Sequence, residues 1–344
     1  MHSEQTLMNL VKQHIREWCP EDITVWMTCG QSTMPSIPIR VSEFVPEDEA
    51  LLMQIQYKEG TEIRKRSPAL GIQQIGLLER STFSKYVSDI VDHHLDAFNQ
   101  LCWADEEHDF PPNLFALLVT VPLRDGNETY LVRESLRLVV VTFIMGHTLT
   151  IDEGKKAETL SHMRSYNSQN ANAEDYISPR LTNRQLKYCF SDLQQSILAN
   201  VLGGLQKMLD SSRLHESWLV AFIIVLYISM AQEDYQQTIH LIQNTSSVTE
   251  NTCSRSAQKL AESACGTIDD GIQVLHEKVL SQYRNLGDSD SALFLQKVIS
   301  LVEENCAFPS KHPWTLLTAS QTTFSSNARR CTSHMKIAGC IQPG

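Results

Sequence analysis

The sequence predicts an all-α protein: a multi-helix, bundle-like domain with a short extended, β-like N-terminal arm. Three observations carry that expectation. Apolar residues recur at three- and four-residue spacing through most of the chain after residue 78, the period of a helix with one buried face. Glycine is scarce, 14 of 344 residues, as a helical body requires, because glycine weakens helix interiors. Pro20, Pro35, Pro38, Pro46 and Pro68 fall in the first 70 residues, where they favour extended and turning chain.

The elements follow in order. Ile23–Trp26 (ITVW) and Ile37–Val45 (IPIRVSEFV) read as strands or extended arms. Ser81 can cap a helix running to about Trp103, with Tyr86, Ile90, His94 and Phe98 on one face. Pro111 and Pro112 open the next helix, through LFALLVTV. A third runs from about Tyr130 to Leu149, turning Leu131, Leu138, Val141 and Ile144 inward, until Asp152-Glu153-Gly154 breaks the pattern. The polar stretch 157–178 reads as a short helix and a loop. Pro179 then starts a strong helix, in which Leu186, Phe190, Leu193, Ile197, Val201, Leu205 and Leu209 repeat over seven turns.

Trp218 to Ile242 is the apolar central helix. Its most apolar run, WLVAFIIVLYISMA, spans about 21 Å as a helix, short of the ~30 Å hydrocarbon core of a bilayer. It therefore reads as a buried core helix. Weaker helices follow at about Thr249–Leu286 and Ser291–Cys306, and the chain after Pro313 is Ser/Thr-rich. The expected organisation is an N-terminal arm with extended segments (1–78), a helical domain (79–310) and a poorly ordered tail (311–344).

Composition narrows the function. With 42% apolar and 20% charged residues in 39.0 kDa, the chain can bury a core. It carries 40 acidic against 29 basic residues, a net charge of -11. That balance disfavours a nucleic-acid surface, whose affinity for phosphate comes from Lys and Arg. Arg64-Lys65-Arg66 is the one basic cluster, read as a solvated turn before Pro68. The first thirty residues, with Glu4, Lys12, Arg16, Glu17, Glu21 and Asp22, leave no apolar core for a signal peptide.

The nine cysteines, Cys19, Cys29, Cys102, Cys189, Cys253, Cys265, Cys306, Cys331 and Cys340, contain no C-x2-C pair. Zinc fingers and thioredoxin-like motifs in their usual form are excluded. The cysteines read as reduced, small apolar residues. The tightest grouping, Cys331, His334 and Cys340, lacks a fourth ligand nearby.

Two constellations suggest chemistry. Asp89, Asp92, His93 and Asp96 fall at i, i+3, i+4 and i+7 of a helix, a spacing that lines carboxylates and an imidazole on one face for a divalent metal; a solvated helix face is the preferred reading, since one helix supplies only part of a metal shell. Asp105-Glu106-Glu107-His108-Asp109 resembles the magnesium-diphosphate motif of terpene synthases, whose carboxylates hold the Mg ions that clamp a leaving diphosphate. The second acidic site of those enzymes, Asn/Asp-x3-Ser-x3-Glu, is not matched: Asn285 and Ser289 are followed by Leu293, and an acidic loop before Pro111 is the preferred reading of the stretch. No G-x-S-x-G, P-loop or G-x-G-x-x-G occurs. Gly203-Gly204, inside the strong helix, point to close helix–helix packing, and His147 reads as a core or cap histidine.

Several phrases occur in one order: VSEFVPEDEALLMQIQY, KRSPALGIQQI, YVSDIVDHHLDAF, LVRESLRLVVVTFIMG, SPRLTNRQLKYCFSDLQQSILANVLGGLQKML and SWLVAFIIVLYISMAQEDYQ. Their order resembles the helical region downstream of the zinc cluster in fungal binuclear zinc-cluster transcription factors. Phe44 and Pro46 fill the place of an EF-x-P phrase, Leu136 to Leu138 that of an "ealrL" helix, Pro179 to Leu186 that of a "PRLLN-Q" helix, and Trp218 to Glu233 that of a Trp-led apolar helix ending in an acidic phrase. The resemblance covers residues 36 to 245. It implies a nuclear protein built like the regulatory half of a transcription factor. The six cysteines of the family's DNA-binding module are not matched, so sequence-specific DNA binding does not carry over; Met1 stands about where that module would end.

The function expected is that of a transcription-regulator-like protein without its own DNA-binding domain. It would act through contacts with copies of itself or related transcription factors. No catalytic, cofactor-binding or metal-ligating residue is assigned, no cofactor is expected, and neither direct DNA binding nor membrane contact is. The alternatives are a helical Mg-dependent prenyl-diphosphate enzyme using Asp105 to Asp109, and a small-molecule-sensing domain with its ligand beside the Trp218 helix.

Overall fold

The computed structural model describes residues 15–30, 33–48, 52–58, 61–73, 77–104, 109–164, 178–211, 214–250, 255–281 and 289–306. Helices take 70% of these residues. The chain is mostly helical, yet its class is α+β, which corrects the all-α expectation. The extended segments near the N-terminus pair with each other and with two later strands, so they form a sheet. Two compact units are present, Met1–Phe98 with His147–Ser196, and Asn99–Gly146 with Ile197–Gly344.

In the first unit, β1 (Ile15–Thr28) and β2 (Ile37–Pro46) form an antiparallel pair at the centre of a four-stranded sheet. Alternation explains it: Ile23, Val25 and Met27 on β1, and Ile37, Ile39 and Val41 on β2, are buried while Asp22, Thr24 and Trp26, and Pro38 and Arg40, are exposed. The register shifts between Trp18 and Asp22. Pro20 falls inside that irregularity, where its missing N–H breaks no ladder bond. The flanks are two-residue strands, β5 (Leu70–Gly71) on β2 and β6 (Thr150–Ile151) on β1, in the order β5-β2-β1-β6.

A separate hairpin pairs β3 (Met53–Lys58) with β4 (Thr61–Arg66), Lys58 opposite Thr61. Arg64-Lys65-Arg66 thus stands on a strand, not in a turn. The helices of this unit are α1 (Leu77–His93), the start of α2 (Leu95–Cys102), α5 (Glu153–Ser161) and the first half of α6 (Arg180–Leu209). One helix was expected over α1 and α2. A break at His94 divides it, although Phe98 N–H still bonds His94 O and His94 N–H bonds Ile90 O. Tyr86, Ile90 and Phe98 are buried as expected; His94 is only half-buried. Asp152, expected to break a helix, begins one: its Oδ1 accepts from Gly154 N–H at 2.9 Å, and its other oxygen accepts from the Ser36 hydroxyl.

The second unit holds α3 (Phe110–Val119), α4 (Gly126–Gly146), α7 (Leu214–Glu250), α8 (Arg255–Ser281), α9 (Ser289–Cys306) and the second half of α6. Every residue from Trp218 to Ala231 is buried, as the core-helix reading expects. The 20-residue span Ser217–Gln236 is long and apolar enough to cross a membrane, but 83% of its apolar 18-residue window is buried inside this protein.

Helix α4 begins four residues earlier than its apolar period suggests, because Asp125 and Glu128 cap it reciprocally. Asp125 Oδ1 accepts from Asn127 and Glu128 N–H, both at 2.8 Å, and Glu128 Oε2 accepts from Arg124 N–H at 2.8 Å. Leu131, Leu138, Val141 and Ile144 face inward as expected. A Cβ on Gly204 would lie 2.1 Å from Leu131 Cδ2, so this glycine is where α6 and α4 approach closely; Gly203 has open space.

Candidate functional site

Among the described residues the sequence candidates for chemistry do not assemble into a site. Asp89, Asp92 and His93 stand on α1 and Asp96 on α2. The contact formed there is between His94 Nε2 and Asp89 Oδ2, at 3.8 Å and partly exposed. Of the acidic stretch, Asp109 is an exposed residue at the start of α3 with no side-chain cap bond. Asp105, Glu106, Glu107 and His108 lie outside the described residues, as do Cys253, Cys331, His334 and Cys340. Among the described residues no three His, Cys, Asp or Glu side chains come together as a metal site. His147 is exposed rather than in the core.

Five cysteines are described, and they sit as small, partly or wholly buried residues. Cys29 and Cys265 are buried, Cys19, Cys102 and Cys189 half-buried, and no disulfide joins these five. Burial pushes the Cys29 thiol above its ordinary pKa, and Tyr86 donates to its sulfur at 3.5 Å. Burial, followed by the charge of Glu43, raises Cys19. Both stay protonated at neutral pH, which removes thiolate chemistry from them.

What the structure builds instead is a polar clamp at the head of α6. Gln185 lies flat against one residue of the chain beyond β5. Its Oε1 accepts from Ile72 N–H, and its Nε2 donates to Ile72 O, both at 2.7 Å. Asn183 does the same for Leu149, accepting from its N–H and donating to its O, both at 2.9 Å. Thr182 Oγ1 donates to Leu70 O at 2.8 Å. Ser67 Oγ accepts from Arg180 N–H at 2.7 Å, capping the helix, and donates to Ser178 O at 3.0 Å.

Thr182, Asn183, Gln185 and Ser67 are all buried. Each amide replaces the missing strand partner of a buried peptide group, which would otherwise be left unsatisfied. Sequence reasoning saw only the apolar stripe of this helix. The signal for the rest was available in T-N-x-Q, polar residues crowded immediately after a helix-opening proline.

The second unit has its own locks. On α4 the guanidinium of Arg137 meets Glu134 one turn earlier at 2.5 Å, both side chains largely buried. Trp218 stacks on Phe222, with ring centroids 5.4 Å apart, and donates from Nε1 to Val279 O on α8 at 2.7 Å. Further along, Ser229 Oγ donates to Val225 O and lies 2.9 Å from His276 Nε2. Tyr227, wholly buried, packs edge-on against Phe115 at 6.1 Å, and its hydroxyl has no hydrogen-bond partner. Helices α3 and α9 border an open groove of about 520 Å³, lined by Leu117, Leu293 and Leu301 with Asn113, Lys297 and Glu304 among them.

Residues 1–298 match the family model described as the KpeA transcription factor. The chain belongs to the KpeA transcription factor family. No curated protein and no solved structure matches it. Membership in a transcription factor family points this KpeA-family chain to a non-enzymatic role and implies a nuclear function. The match spans the sheet, the clamp, the Glu134–Arg137 pair and the Trp218 helix, and it ends at Val298, within α9. The phrases SPRLTNRQLK and LVRESLRL are thus the sites of the clamp and of the buried ion pair.

Proposed function

We propose that this KpeA-family protein regulates transcription through protein contacts, as the helical regulatory half of a zinc-cluster factor does, and reaches DNA through a partner. The family match over residues 1–298 carries the reading. Its supports are the net charge of -11, which repels the phosphate backbone, and an apparatus of side chains devoted to packing rather than to reacting groups. The clamp braces the first unit and the buried ion pair the second; the exposed helix faces are then the surfaces left for partners, which are related transcription factors or second copies.

A reporter experiment tests this. The full chain, fused to a heterologous DNA-binding domain and tethered at a promoter, is expected to change reporter output relative to that domain alone. Unchanged output over a range of tether positions, with the fusion expressed and nuclear, contradicts it.

A further inference from the structure

We propose that the groove between α3 and α9 is the docking site for this chain's own segment Pro313–Leu317. The groove residues of α9 are Leu293, Gln296, Lys297, Ser300, Leu301 and Glu304. That spacing, i, i+3, i+4, i+7, i+8 and i+11, is one continuous stripe along a helix. Across from it α3 supplies Asn113 and Leu117, one turn apart. The inner face of α9 is already occupied, with Phe294, Leu295 and Val298 buried. Leu293 nevertheless stays 55% exposed. An outward stripe holding leucines, facing a second helix across about 520 Å³, has the volume of a pocket for a few side chains.

The occupant follows from chain length, apolarity and charge. Helix α9 ends at Cys306, two residues past Glu304 at the end of the groove. From Cys306 an extended chain reaches Trp314 within about 29 Å, whereas Glu304 to Leu293 is about 16 Å of helix. Trp314, Leu316 and Leu317 can therefore lie back over Leu301 and Leu293 without strain. Pro313-Trp314-Thr315-Leu316-Leu317 concentrates apolar bulk in a stretch that is otherwise Ser/Thr-rich. Residues 307–344 contain neither Asp nor Glu, and Lys311 precedes the apolar run, its charge opposite to that of Glu304 on the groove rim. A tether this short supplies an effective concentration in the mM range, so a weak intrinsic affinity suffices for occupancy.

Trypsin cleavage after Lys311 reads the docking in the full chain. The wild type is compared with Leu293→Gln, which alters the groove at an exposed position, and with Leu317→Gln, which leaves the helical body untouched. Docking predicts that both variants are cut after Lys311 about tenfold faster than the wild type, since opening must precede cleavage, while cleavage after Arg330 is unchanged. Equal rates in all three chains overturn the proposal. So does protection that rises with protein concentration, which would assign the groove to a second copy.

Discussion

Gly203 and Gly204 are adjacent on α6, yet substitution should move stability in opposite directions. Alanine at 204 drives a methyl group into Leu131, and overpacking costs about 1–3 kcal/mol. Alanine at 203 meets nothing and gains up to about 1 kcal/mol of helix propensity. Urea midpoints of the two variants should straddle the wild type. The sequence pair alone marks a close helix contact; which glycine makes it depends on the rotation of α6, and no local pattern reveals that.

Tyr227 makes a second residue-scale case. Burial holds its phenol far above the ordinary pKa, so it stays neutral, with an unsatisfied hydroxyl in the core. Tyr227→Phe is expected to leave the Tm unchanged or raise it, since no hydrogen bond is lost. A drop of several degrees would show that the hydroxyl has a partner in solution. Gln185 is the reverse case. Gln185→Ala strands the N–H and C=O of Ile72, at about 1–3 kcal/mol for each group. Gln185→Glu should not rescue it, because the second oxygen then faces a carbonyl. Thermal melts of the two variants test this.

Among elements, α4 shows how a nearly all-buried helix carries charge. Glu134→Ala removes the carboxylate facing Arg137 and should destabilise by about 3–5 kcal/mol, whereas replacing both residues with leucine should come close to neutral. Denaturant titration of single and double variants separates the two outcomes. The helices were legible because their apolar periods are long: α6 begins one residue after Pro179, and α7 contains the whole apolar run. Two signals were present in the sequence but not among the expectations: Asp125-x-x-Glu128 at the start of α4, which was expected at Tyr130, and the alternation Met53-Gln54-Ile55-Gln56-Tyr57-Lys58 of the hairpin, where only a turn at Arg64–Arg66 was expected. Strands β5 and β6 were not legible, since two residues hold no period. They exist because β1 and β2 offer edges and because the α6 clamp fixes the neighbouring chain at Leu149, Leu70 and Ile72.

For the whole molecule, charge and architecture point the same way. All 40 acidic residues precede residue 307, and on the proposed reading that negative charge disfavours nucleic acid and leaves the exposed helix faces for protein partners. The polar phrases that looked like family signatures turn out to be internal fasteners. The proposal assigns function to the outer helix faces. The most direct measurement is selection of binding sites from a random DNA duplex pool by the purified full chain, at about 150 mM salt, where non-specific affinity is weak. The account predicts no enriched sequence, and affinity for any duplex no tighter than the ~10⁻⁴–10⁻⁶ M of non-specific binding. Enrichment of a defined site bound at nanomolar affinity would contradict it.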